Sequence, residues 1–262
     1  MSSEPSPPPR PRVTWLGHST VVLDLGGTRL ITDPLLRRHN WPLRRRGERP
    51  SAPAWSRPDL VLLSHLHHDH AELSSLKLLA GVPVLTAPDN AAWLRRKGLS
   101  GIDDGGKWYD IPGTDVRVRL VRADHGHRPM PHRPNSANGH LVQTPGFTAY
   151  LAGDTSLYPE LADLPKIADA PIDLAVVPIG GWGPRLSGGH MDSEQAAQAV
   201  ALIGARVAVP VHWGTLHAPV VGRFPRGWMD VGGQLFTEAL ARHAPESRSL
   251  VLAPAGAADL PI

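Results

Sequence analysis

The chain alternates short apolar runs with turn residues. Val13 to Leu16 and Val21 to Leu25 predict two strands with Gly17-His18-Ser19 between them, and Gly26-Gly27-Thr28 turns the second into Leu30-Ile31-Thr32. Leu60 to Leu63 is a continuous apolar run, the pattern of a buried strand. Further strands are predicted at Val82 to Thr86, the strictly alternating Val116 to Val121, His140 to Thr144, Thr148 to Ala152, Leu174 to Val177, Val207 to Val211 and Leu250 to Leu252. Helices are predicted at Leu73 to Leu79, Asn90 to Lys97, Leu161 to Ala168, Ser193 to Ile203 and Gln234 to His243. The fourth is the best marked, with Asp192 or Ser193 as its cap and Gly204 as its stop. Strands with interposed helices predict one α/β domain over residues 13–262. A Ser/Pro-rich tail, residues 1–12, is expected to be disordered. Leu36 to Pro58 has no period and reads as a long surface loop.

The densest chemistry sits where the Leu60 strand gives way to a helix: His65-Leu66-His67-His68-Asp69-His70. On an extended strand tip residues i and i+2 point the same way, so His65 and His67 aim at one point. Asp69 and His70 follow the turn and face a second point nearby. Two imidazoles suit one metal, and a carboxylate with an imidazole suits another. His125, Asp154 and His212 also stand at strand tips and are metal-ligand types.

Composition narrows the chemistry. The 262 residues contain no cysteine, which excludes disulfides, thiolate nucleophiles and zinc–thiolate sites and leaves N and O ligands. The 27 Lys and Arg against 24 Asp and Glu give a formal charge of +3, too little to argue for nucleic acid. There is no apolar run of membrane-span length and no secretory pattern at the N-terminus, so a soluble cytoplasmic protein is expected. No nucleophile elbow, P-loop or dinucleotide fingerprint competes with the histidine cluster.

Four motifs together resemble the metallo-β-lactamase superfamily, over nearly the whole chain from Val13 onward. They are Thr14-Trp15-Leu16-Gly17-His18-Ser19-Thr20 with Leu30-Ile31-Thr32-Asp33-Pro34, then His65 to His70, then Ala152-Gly153-Asp154-Thr155. The fourth runs through Ile179-Gly180-Gly181, Gly189-His190-Met191 and His212-Trp213-Gly214-Thr215. Within the superfamily they are most similar to the branch of L-ascorbate-6-phosphate lactonase and the N-acyl-phosphatidylethanolamine-hydrolysing phospholipase D. The resemblance implies an αββα sandwich. It also implies that His65, His67 and His125 hold one metal, that Asp69, His70 and His212 hold a second, and that Asp154 bridges them. The chain departs from the branch at Gly126-His127-Arg128, where an aromatic and a serine are usual, so His127 rivals His125. It departs again at Met191-Asp192-Ser193-Glu194-Gln195, in place of Met-Asn-Pro-Glu-Glu. His18 and Asp33 are expected to support the site rather than ligate. His68, His132, His140, His217 and His243 are expected to be surface or local structural residues.

The chemistry expected of such a site is hydrolysis by a hydroxide shared between two divalent cations. Asp69 would orient the water, and His190 would meet the substrate's anionic group or the developing oxyanion, or else brace its loop. Zinc suits the donor set, as do manganese and iron. The expected substrate is a small or amphiphilic anionic compound with an ester-type bond, a phosphodiester or a lactone. Trp182, His190 and Arg44 are its candidate contacts. Trp41, Trp55, Trp213 and Trp228 are further candidates for the cleft. The Arg44-Arg45-Arg46 run otherwise reads as a solvated basic face. The competing readings are a redox or sensory protein that keeps the metals, and, less well supported, a nuclease. The expected partner is a small molecule, with no nucleic acid and no transmembrane segment; peripheral membrane contact and homo-oligomers stay open.

Overall fold

The computed structural model describes residues 10–40, 42–126, 130, 132–219 and 225–260. Seventeen strands and six α-helices lie in these residues, joined by two short 3-10 turns. The first sheet takes β1 (Arg12–Gly17), β2 (Thr20–Leu25), β3 (Thr28–Thr32), β6 (Leu60–Leu62), β7 (Val84–Leu85), β8 (Gly101–Ile102) and β17 (Ala257–Asp259), in the order β17-β1-β2-β3-β6-β7-β8. The second takes β9 (Tyr109–Asp110), β10 (Arg117–Arg122), β11 (Asn138–Thr144), β12 (Phe147–Leu151), β13 (Leu174–Pro178), β14 (Val207–Val211) and β16 (Arg248–Ser249), in the order β16-β14-β13-β12-β11-β10-β9. A small third sheet joins β15 (Leu216–His217), β5 (Leu43–Arg45) and β4 (His39–Asn40).

The pleat explains the layers. Successive strand residues point to opposite faces, so a strand buried on both sides must be apolar throughout. Leu60 and Leu62 of β6 join Val142, Leu151, Val176 and Val209 of the other sheet in a core between the sheets. Val61, between them, faces outward with Ile31 and Leu63. There it meets Leu76 of α2 (Leu73–Leu76) and Trp93 and Leu94 of α3 (Pro88–Arg96). On the far side Ala175, Val177 and Ala208 pack against Ala196 and Val200 of α5 (Ser193–Ile203) and Phe236 and Leu240 of α6 (Gly232–His243). Helices therefore cover both outer faces of two stacked sheets, the αββα arrangement expected.

Most elements fall within a few residues of expectation. Asp192 caps α5 with a full capping box to Gln195, and Gly204 ends it at φ +67. Four expectations are revised. The long loop at 36–58 is not structureless: it holds β4, β5 and α1 (Ala52–Trp55), because β5 finds a partner in β15, far along the chain. Leu250 to Leu252 forms no strand; β16 precedes it and β17 follows it. Arg12, expected in the tail, opens β1, paired with Asp259 through the backbone ladder and a 2.6 Å side-chain ion pair. Leu161 to Ala168 splits into a 3-10 turn and α4 (Leu164–Ala168).

The parallel strands β3, β6, β12, β13 and β14 all end at the same rim. Their C-terminal tips deliver the groups described next.

Candidate metal centre

His65 to His70 leave the tip of β6, His125 follows β10, Asp154 follows β12, and His212 follows β14. The fold brings all seven candidate ligands together in overlapping sets whose donor atoms lie within 4.8 Å of one another. One set is His65, His67 and His125; another is Asp69, His70 and His212 with His18; and Asp154 joins His65 and His70. His190 is placed with Asp154 and His125. His127 lies outside the described residues.

The tautomers follow from the acceptors. Asp33 accepts from Ser64 N at 2.7 Å and from the Ser64 hydroxyl at 2.7 Å. The Ser64 oxygen is therefore left to accept from His65 Nδ1 at 2.9 Å. His70 Nδ1 donates to Asp33 at 2.8 Å, His125 Nδ1 to the Gly189 carbonyl at 2.7 Å and His212 Nδ1 to the Gly180 carbonyl at 2.9 Å. Four imidazoles thus carry hydrogen on Nδ1 and turn Nε2 toward the centre, the disposition that metal-ligating histidines take. Facing them, Asp154 is 3.1 Å from His70 Nε2, 3.2 Å from His212 Nε2 and 3.2 Å from His190 Nε2.

Two glycines make this approach feasible. A side chain at Gly153 (φ +64) would collide with Ser64, and one at Gly189 (φ +84) with the backbone of His125. The first brings Asp154 in against the β6 tip; the second delivers the carbonyl that fixes His125.

The donors fit a metal on the structure's own terms. His65 Nε2 is buried with no hydrogen-bond partner among the described residues, and neither has Asp154 Oδ1 in hydrogen-bonding geometry, although His212 Nε2 lies 3.2 Å away. Buried polar atoms are rarely left so. Burial pushes His65, His67 and His212 down, His67 to about 4, so these rings are neutral and able to ligate at physiological pH. Burial opposes charge at Asp69 and Asp154 as well. Together His70, His18 and His212 outweigh it for the first, and His212, His70 and His190 for the second, holding both carboxyls well below the usual range. Burial also opposes a proton on His70, yet Asp154, Asp33 and Asp69 raise it well above its ordinary value. Several buried carboxylates in one place call for a cation.

A cleft of about 320 Å³ opens on the cluster, lined by Leu43, His68, Met130, Trp182, His190 and Ala218 together with ligand candidates. Of the candidate substrate contacts, Trp182 and His190 line the cleft and Arg44 does not. Arg44 is exposed on β5, and the apolar side chain of Leu43 beside it faces the cleft instead. Arg45 is buried and donates to the carbonyls of Leu16 at 2.9 Å and Leu35 at 2.5 Å, and Arg46 pairs with Asp230 at 2.6 Å. The arginine run is therefore not one solvated basic face. Of the other tryptophans, Trp15 stacks on Trp213 behind His212 at 5.7 Å, Trp55 is half-buried away from the cleft, and Trp41 lies outside the described residues. His68, expected to be a surface or local structural residue, lines the cleft. His140 is fully buried and bonded to Asn138, a structural role.

Residues 28–213 match the family model described as a beta-lactamase superfamily domain. A UPF0173 metal-dependent hydrolase of Nitratidesulfovibrio vulgaris is 33% identical over 258 residues, covering 93% of this chain and 92% of that protein. The N-acyl-phosphatidylethanolamine-hydrolyzing phospholipase D 1 of Caenorhabditis elegans is 26% identical, covering 77% of this chain and 63% of that one. In structure, the metallo hydrolase Igni18 of Ignicoccus hospitalis superposes with a TM-score of 0.73 at 23% identity, over 95% of this chain and 97% of its own. With its sheets, its rim of ligand-type residues and these relatives in view, the chain belongs to the beta-lactamase superfamily, as a metal-dependent hydrolase of the UPF0173 kind.

Proposed function

We propose that the protein binds two divalent metals and hydrolyses an ester-type bond, with a phosphodiester as the leading substrate class. The observation that carries this reading is the position of Asp154, which shares one donor set with His65 and His70 and another with His125 and His190, each within 4.8 Å. A short carboxylate there suits a pair of metals that share it. His65, His67 and His125 would hold one, Asp69, His70 and His212 the other, with zinc suited to this N/O set and manganese or iron also compatible. When bound, such metals supply Lewis acidity and ionised water at neutral pH.

The chain's own residues do the rest. Asp69 turns a carboxylate toward the cleft floor, where it orients the attacking water. The His190 ring is fixed through Nδ1, which donates to the Ser187 carbonyl at 3.1 Å. Its Nε2 then faces Asp154 and the cleft, placed to exchange a proton with the leaving oxygen. Trp182, Met130 and Leu43 offer an apolar wall to the substrate's non-reacting arm. The phospholipase relative supports the phosphodiester, and the apolar wall supports an amphiphile.

Metal-loaded protein should hydrolyse aryl phosphodiesters or lactones with turnover that an Asp69→Ala, His70→Ala double variant lacks. Near two metals per chain in the wild type with no turnover on either class would overturn the hydrolase reading. It would return the non-hydrolytic one.

A further inference from the structure

His18 is the residue that ties the first sheet to the metal centre. It sits at the turn between β1 and β2 with φ +52, a left-handed backbone that a residue bearing a side chain keeps only where its surroundings fix it. The surroundings do. Its N–H donates to Thr215 Oγ1 at 2.7 Å, and its carbonyl accepts from His212 N at 2.9 Å and from Trp15 Nε1 at 2.8 Å. Its ring is fully buried and lies on the His212 ring, centroids 3.9 Å apart. Its Nε2 is 3.0 Å from Asp69 Oδ2. A carboxylate oxygen only accepts, so Nε2 carries the hydrogen, and Nδ1 is left without a partner among the described residues.

We propose that His18 is a positioning residue for the second metal subsite, an inference that rests on the dinuclear reading above. Nε2–H holds Asp69 Oδ2, the same oxygen that lies 3.8 Å from His212 Nε2 and 4.0 Å from His70 Nε2, and so fixes the carboxylate beside the other two donors of the subsite. The His18 carbonyl and ring meanwhile hold the backbone and imidazole of His212. Two of the three donors of that subsite are thereby set by one residue of the β1–β2 turn, which explains why the turn keeps an unfavourable backbone conformation. A nitrogen that carries a hydrogen toward a carboxylate is not a ligand, so His18 acts through Asp69 and His212 rather than on the metal. Hydrogen-bond partners of ligands typically account for about 10–100-fold in metal affinity.

The test compares the wild type with His18→Gln, His18→Asn and His18→Leu. Glutamine carries an N–H donor at the reach of Nε2; asparagine tolerates the left-handed backbone but is too short; leucine donates nothing. Each protein is loaded with zinc, dialysed against graded chelator and assayed for metal per chain, and each is also loaded with cobalt for its visible spectrum. Wild type and His18→Gln should hold two metals at a chelator concentration where His18→Asn and His18→Leu hold one. The weaker metal in those two variants should bind about 10–100-fold less tightly. Two metals held at wild-type affinity by the asparagine or leucine variant would overturn the proposal. So would a glutamine variant as weak as the others. Should neither short variant fold, the cobalt bands of His18→Gln decide: unchanged bands support positioning, lost bands overturn it. A wild type that holds no second metal would remove the dinuclear reading and this proposal together, whereas the variant results bear on the proposal alone.

Discussion

Asp33 and His70 lie 37 residues apart in sequence, and the carboxylate accepts the imidazole Nδ1–H at 2.8 Å. The same carboxylate takes the backbone and hydroxyl hydrogens of Ser64, whose oxygen in turn fixes His65. One side chain thus orients a ligand candidate of each metal subsite. Asp33→Ala should leave three buried donors unpaired, at about 1–3 kcal/mol for each group left unsatisfied. The expected result is a folded but less stable protein whose metal affinity falls about 10–100-fold. Denaturant unfolding of the metal-free chain and zinc titration of the folded one check the two parts separately.

Metal removal should cost stability by mass action, because the assembled donor set exists only in the folded chain. At free metal 100 times its Kd each site adds about 2.7 kcal/mol. Chelator treatment should lower Tm, and zinc added back should restore it in proportion to the logarithm of its concentration. A Tm indifferent to chelator and to zinc would contradict the proposed centre.

Acid should destabilise the protein through a histidine outside the centre. His140 is buried, with Nε2 accepting from Asn138 Nδ2 at 3.1 Å, and burial pushes its pKa down to about 4 from an ordinary 6.5. The folded chain therefore binds this proton more weakly than the unfolded chain does. Its contribution is complete above pH 6.5 and is lost as pH falls from there toward 4, on the order of 3 kcal/mol in all. His140→Gln keeps an acceptor without titrating in this range. Its unfolding free energy should fall less steeply over that window, by close to one proton in slope.

The sequence carried the centre where its signal was local. His65, His67, Asp69 and His70 are legible because one strand tip and one turn set their directions. Asp154 and His212 are legible because they end apolar runs. The two-sided burial of Leu60-Val61-Leu62 likewise announced a covered sheet. What stayed hidden depends on partners without a residue-type signature. Ser64 orients His65, and the carbonyls of Gly180 and Gly189 fix His212 and His125; no side-chain pattern announces a carbonyl. The pairing of β5 with β15 joins residues 45 and 216, a separation no local period reaches. Leu250 to Leu252 has the composition of a strand, but the chain makes its ladders on either side of it.

Arg44 and Arg45 show the same limit in the form of a prediction. They are chemically identical neighbours, and the strand alternation sends one side chain to solvent and the other inward. The buried guanidinium of Arg45 spans the carbonyls of Leu16 and Leu35, tying the small sheet to the end of β1 and to the segment after β3, and burial lowers its pKa to about 10. It stays charged at neutral pH even so. Arg45→Ala removes the donors and leaves two carbonyls facing a void, so a loss of roughly 2–5 kcal/mol is expected. Arg45→Lys should recover only part of it, because an ammonium lacks the planar fork that reaches both carbonyls. Arg44→Ala should change stability by less than about 0.5 kcal/mol. Since Arg44 does not line the cleft, kcat/KM on an anionic ester should stay within about threefold, roughly 0.65 kcal/mol on the transition-state scale. A tenfold or larger fall in kcat/KM for Arg44→Ala, with Arg45→Ala near wild-type stability, would reverse these two roles and restore the arginine run as the substrate's anchor.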